Sequence, residues 1–214
     1  MEGILDLLNG PIGKTIISGV AGSTGQDSNK TSSVLTMALP VLMKAMQRNA
    51  SSPQGAEGLM GALSKHDGGI LDNLGDLFGG GVDENVINDG DKILGHVLGN
   101  KQQGVQKVIG EKAGIDAGAV ANILKTAAPI LMGVLGKQTR QNGVNNAGDL
   151  GGLLGGMLGG NSTQQEQSFL EKILDADGDG SVIDDVAGMV LGNGNQQKSG
   201  GLLGGLLGGL FGKK

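Results

Sequence analysis

Val120, Ile123, Leu124, Ala127, Leu131, Val134 and Leu135 recur at spacings of three, four and seven, which makes one face of a helix apolar. Val34, Leu35, Ala38, Leu42, Ala45 and Met46 write the same pattern earlier in the chain. Asp27 and Asp116 stand just upstream of the two runs, where a carboxylate accepts from the unpaired N–H groups of a helix start, so both are expected to cap. Pro40 and Pro129 fall inside the runs. A proline in a helix interior costs about 3 kcal/mol, through a lost hydrogen bond and a ring clash, and this pair predicts a shared kink or a break into two shorter helices. After a linker at 49–54, the leucine and isoleucine spacing over 56–81 predicts two short helices separated by a turn at His66 to Gly69. Strand-like alternation is missing throughout, so the expected fold is an all-α bundle.

The likeness between the two long runs is a duplication. Sliding the sequence by 89 positions lays Ile4-Leu5 on Ile93-Leu94, Gly10 on Gly99, Gly25 on Gly114, Asp27 on Asp116, Pro40 on Pro129 and Leu42-Met43 on Leu131-Met132. No gap is needed, and the intervening pairs Val34/Ile123, Val41/Ile130 and Met46/Leu135 are like for like. The bundle should therefore carry pseudo-twofold repetition. Copy one spans about 1–89 and copy two about 90–150, with a glycine-diluted counterpart of the short helices in AGDLGGLLGGMLGG.

Composition limits what fills such a bundle. Trp and Tyr are absent and there are three Phe, so the core is aliphatic, with Met filling gaps. Forty-four Gly weaken every helix they enter by about 0.5–1 kcal/mol each. The lack of Cys removes disulfides, thiol nucleophiles and thiolate metal sites. Five Asp between 175 and 185, without a base among them, account for the whole net charge of −5. Nucleic acid is not an expected partner, since neither clustered Lys and Arg nor aromatic platforms are present. The N-terminal MEGILDLLNG lacks the basic start of a secretory signal, and no apolar run approaches the length of a membrane span, which points to a cytoplasmic protein.

The segments KHDGGILDNL (65–74) and GDKILGHVLG (90–99), with the helices VLTMALPVLM and ILKTAAPILM, resemble the YidB-like bacterial family grouped as domain of unknown function 937. The resemblance covers about residues 1–150. It implies a helical fold without an assigned activity, so no catalytic residue is carried over.

The most specific chemical pattern lies beyond that region, in LDADGDGSVIDDV at 174–186. Asp175, Asp177 and Asp179 occupy positions 1, 3 and 5 of an EF-hand-like or dockerin-like loop, Gly180 supplies the turn, and Ser181 offers its carbonyl. Alternate carboxylates on a turning backbone converge and repel one another unless a hard cation draws them together, so the expected ligand is calcium. Position 12 is Val186 instead of a bidentate Glu, and Asp184 or Asp185 has to complete the shell. That departure places the affinity near about 10⁻⁵ to 10⁻³ M. A solvated acidic turn and another hard cation are the competing readings.

The remaining organisation follows. A Gly-rich linker is expected at 151–161, a helix-loop-helix at 162–192 and a Gly/Leu-rich tail at 193–214. GGLLGGLLGGLFGKK at 200–214 contains seven Gly, which would cost a helix about 6–7 kcal/mol relative to Ala, so in water it should be disordered. Burying its Leu and Phe against a partner, a second copy or a membrane surface would offset that cost. No catalytic residue is assigned: His66 reads as part of a turn and His96 as helix surface, and no spacing sets a nucleophile beside a base. A cleft lined by either histidine, with carboxylates beside it, would point the other way. The expected function is a non-catalytic, calcium-binding structural or interaction module. The alternatives are a membrane-surface or self-assembling protein acting through its tail and, last, an enzyme.

Overall fold

The computed structural model describes residues 3–158, whose regular elements are all helices, with no strand among them. In chain order the helices are α1 (Ile4–Asn9), α2 (Pro11–Thr24), α3 (Ser28–Ala50), α4 (Pro53–Lys65), α5 (Gly69–Asp72), α6 (Leu74–Gly79), α7 (Glu84–Leu98), α8 (Gln102–Ala113), α9 (Ala117–Gln141) and α10 (Ala147–Leu158). A 3-10 turn at Gly99–Lys101 joins α7 to α8.

The long helices α3 and α9 form the centre. Their shared sequence pattern has a shared structural cause at each end. Asp27 accepts from the backbone N–H groups of Asn29 and Lys30 at 2.9 and 3.1 Å, and Asp116 accepts from that of Ala119 at 2.9 Å, so both expected caps are present. Just before each cap, Gly25 and Gly114 close the preceding helix with φ of 67° in both cases, a left-handed conformation that favours glycine. Neither helix breaks at its proline. α3 runs through Pro40 and α9 through Pro129, so of the two expected outcomes, a kink or a break, the break is excluded.

The reason is burial on more than the one face that the sequence pattern picks out. Val41 and Met43 are buried in α3, as are Ala128, Ile130 and Met132 in α9, so each helix is held by packing on several sides. At Pro129 a further contact meets the carbonyl that loses its helix partner. The carbonyl of Lys125, four residues earlier, receives no N–H from the proline. A Cβ built on Gly90 of α7 would collide with that carbonyl oxygen, which means a Gly90 Cα–H points at it.

Around this pair the halves exchange outer helices. α2 packs on α3 and α9, α8 packs on α9 and α3, α4 packs on α9 as well as α3, and α10 packs on α3. One apolar cluster runs through all of them, from Ile4 and Leu8 in α1 to Leu153 and Leu154 in α10. The turn after α4 appears where the sequence placed it, while the helix that follows it is divided at Asn73 into α5 and α6. The stretch from 151, expected as linker, is packed helix as far as Leu158. Leu150, Leu153, Leu154 and Met157 are buried there at 4% exposure or less, and their burial offsets the helix cost of the glycines between them.

One helix does meet the length and apolarity of a membrane span, against the expectation that none would. α9 has a window of mean hydropathy 1.5, but 72% of that window is buried inside the bundle. Its apolarity is that of a core helix.

Candidate functional site

α7 carries Asp89, Lys92 and His96 at i, i+3 and i+7, which sets them on one face. α4 carries Gly58, Gly61 and Lys65 at the same spacing. These two faces line a cleft of about 620 Å³, whose floor is made by Leu59, Ile93, Val97 and Met132. Asn49, near the end of α3, closes it by donating from Nδ2 to the carbonyls of His96 and Val97 at 3.1 and 3.3 Å. His66 stands at the C-terminal cap of α4, and its Nε2 lies 3.4 Å from Asp89 Oδ2. Both histidines of the chain therefore face one cavity, with a carboxylate beside the first.

Two of the three glycines of this cleft are not required by the bundle, Gly55 being the one set against the Asn49 carbonyl. A Cβ at Gly58 or Gly61 would meet no atom within 4 Å. Each costs α4 about 0.5–1 kcal/mol relative to Ala without any packing return inside the described residues. Lys65 and Lys92 form no ion pair among the described residues, unlike Lys125, which lies 3.1 Å from Asp91, and Arg140, which lies 3.4 Å from Asp67. In the turn after His66, Asp67 accepts from the Gly69 N–H at 3.0 Å. That hydrogen bond, with Arg140 beside it, holds the Asp67 carboxyl below its ordinary value.

A second concavity is apolar. α1, α2, α3 and α9 enclose a groove of about 190 Å³ between Ile4, Leu8, Ile16, Leu39, Ile130 and Val134, with Lys137, Gln138 and Gln141 on its rim. Ile12 borders it and is 58% exposed. The last turn of α10 ends nearby: the Met157 carbonyl would lie 3.5 Å from a Cβ on Gly3, one residue before the groove-lining Ile4. Residues 159–214 thus continue from a point close to the groove.

The residues expected to bind calcium, Asp175, Asp177, Asp179, Ser181, Asp184 and Asp185, lie outside the described residues. Among the described residues no three His, Cys, Asp or Glu gather as metal ligands would. The cleft was missed by sequence reasoning because His66 and Asp89 are distant in sequence and meet only when α4 and α7 pack around α9. The spacing along α7 was its one legible trace.

No curated protein and no solved structure matches the chain. A family model does match, over residues 6–138 and 144–214, and so extends past the limit of about 150 set by the sequence resemblance. That match over most of the sequence places the chain in the family described as bacterial protein of unknown function, DUF937.

Proposed function

We propose that this chain is a non-catalytic interaction module whose helical body receives an apolar segment, and whose loop at 175–185 binds calcium. The observation that carries the proposal is the apolar groove, which leaves Ile12 58% exposed in a chain whose other large apolar side chains are at least partly buried among the described residues. The occupant is the Gly/Leu-rich segment 200–214 of the same chain. α10 delivers the chain beside the groove, and Leu202, Leu206 and Leu210 repeat at a spacing that puts them on one helical face.

The absence of native cysteine makes the test clean. Ile12→Cys combined in turn with Leu202→Cys, Leu206→Cys or Leu210→Cys should form a bridge within one chain under mild oxidation, and a bridge found only between two copies would make the occupant a second copy's tail. If no pairing bridges, the tail does not occupy the groove. Flotation of the full chain with anionic vesicles, lost on truncation at Ser199, would assign the tail to a membrane surface instead. For the loop, millimolar calcium should raise the melting temperature, by mass action on the folded form. Asp177→Asn with Asp179→Asn should abolish the rise, and a melting temperature indifferent to calcium removes the ion.

The His66–Asp89 pair favours a second reading, general acid–base chemistry in the cleft between α4 and α7. Ester or amide hydrolysis by the purified chain that disappears in His66→Gln would replace docking by catalysis.

A further inference from the structure

The cleft between α4 and α7 combines features that the docking of a tail elsewhere does not use. We infer that it binds an amphipathic carboxylate, an apolar chain ending in a single anionic group. Its volume of about 620 Å³ falls inside the range of about 300–1,000 Å³ usual for small-molecule sites. Leu59, Ile93 and Val97 give it an apolar floor, each at 8–9% exposure. Gly58 and Gly61 leave open the space that two side chains would fill, so an apolar chain can lie against the helix backbone.

The rim supplies the charge. Lys65 and Lys92 border the same cavity without a carboxylate partner among the described residues, in a chain of net charge −5. The one acid of the rim, Asp89, is turned to His66 at 3.4 Å. Two uncommitted ammonium groups above an apolar floor recognise a carboxylate head on an apolar body, and they disfavour an uncharged or cationic analogue.

The full-length chain tests this with built-in reporters, because its two histidines both line the cleft. Titration with decanoate, kept below its micelle concentration, should move both imidazole proton resonances saturably. Decanol, of equal length but uncharged, should bind about tenfold more weakly. Lys65→Ala with Lys92→Ala should weaken decanoate about tenfold and leave decanol unchanged. Gly58→Leu with Gly61→Leu puts side chains into the cavity from positions where a Cβ meets no atom within 4 Å, so it should keep or raise the melting temperature and lose the resonance shifts. The inference is overturned if the histidine signals stay still at millimolar decanoate, or if they move equally in the filled variant. Binding seen by calorimetry without any histidine shift would place the ligand outside the cleft and equally overturn it. None of these outcomes depends on residues 200–214, so tail docking stands or falls separately.

Discussion

α3 and α9 carry one sequence pattern, yet the two helices make room for their neighbours in opposite ways. On α9, Gly136 lies against the end of α4, where a Cβ would collide with the His66 carbonyl. The position 89 residues earlier is Gln47 on α3, and the helix packed there is α10, which offers Gly155. The register of 89 does not extend to the outer helices: it would lay the buried Ala56, Leu59 and Leu63 of α4 on the exposed Asn145, Gly148 and Gly152, whereas Ser52 and Asn146, each accepting from the N–H three residues on, align α4 with α10 at a spacing of 94. The two contacts are therefore not copies of one another: glycine lies on the central helix in one and on the outer helix in the other. Hydrophobic register was preserved along the central helices, while the allocation of volume around them differs.

The strongest way to break this comparison is to make α9 imitate α3. Gly136→Gln brings a side chain against backbone that cannot rotate away, and it should cost about 3 kcal/mol or more in denaturant unfolding. Stability within about 0.5 kcal/mol of the parent would show that the α4 end is free to shift. Gly90→Ala, set against the Lys125 carbonyl, should lose about 1–3 kcal/mol by the same measurement. No such loss is expected for Gly155→Ala, where only the Gln47 amide, 3.0 Å from the new Cβ, has to move.

A smaller effect tests whether the halves share their caps as well as their register. Asp27→Ala and Asp116→Ala should each cost about 1 kcal/mol, because both carboxylates satisfy helix N–H groups. A difference above about 1 kcal/mol between the two would mean that the surroundings outweigh the cap. Copying one half into the other can also stabilise. Thr31 is fully buried with its hydroxyl unpartnered, and its repeat partner is Val120, so Thr31→Val should gain about 1 kcal/mol. The smallest effect concerns pH. Asp67 titrates below its ordinary value in the folded chain, so its hydrogen bond to Gly69 contributes stability above the unfolded value of 3.8, and that contribution is lost as pH falls through the lower folded one. A carboxyl resonance titrating at or above 3.8 would contradict this.

Much of the fold was legible because it rests on local rules. The caps Asp27 and Asp116 and the apolar faces of α3 and α9 all follow from residues within one or two turns of one another. Whether the helix continues across Pro129 was left open between a kink and a break, since Gly90 is brought against the Lys125 carbonyl only by the tertiary packing of α7. The helical state of 151–158 was obscured for a related reason: glycine content argues against a helix in isolation, and the burial of Leu150, Leu153, Leu154 and Met157 reverses the balance. The cleft lay furthest from view. Its members come from separate helices, and neither His66 nor His96 has a histidine as its repeat partner, so the duplication gave no sign of it.

Gly136 also bears on how the two halves depend on each other. Two copies of the first half would set a glutamine, the residue at 47, where α9 offers Gly136 to the end of α4. The first half is therefore not self-complementary at this contact. The end of α4 is fitted to the central helix of the unlike half.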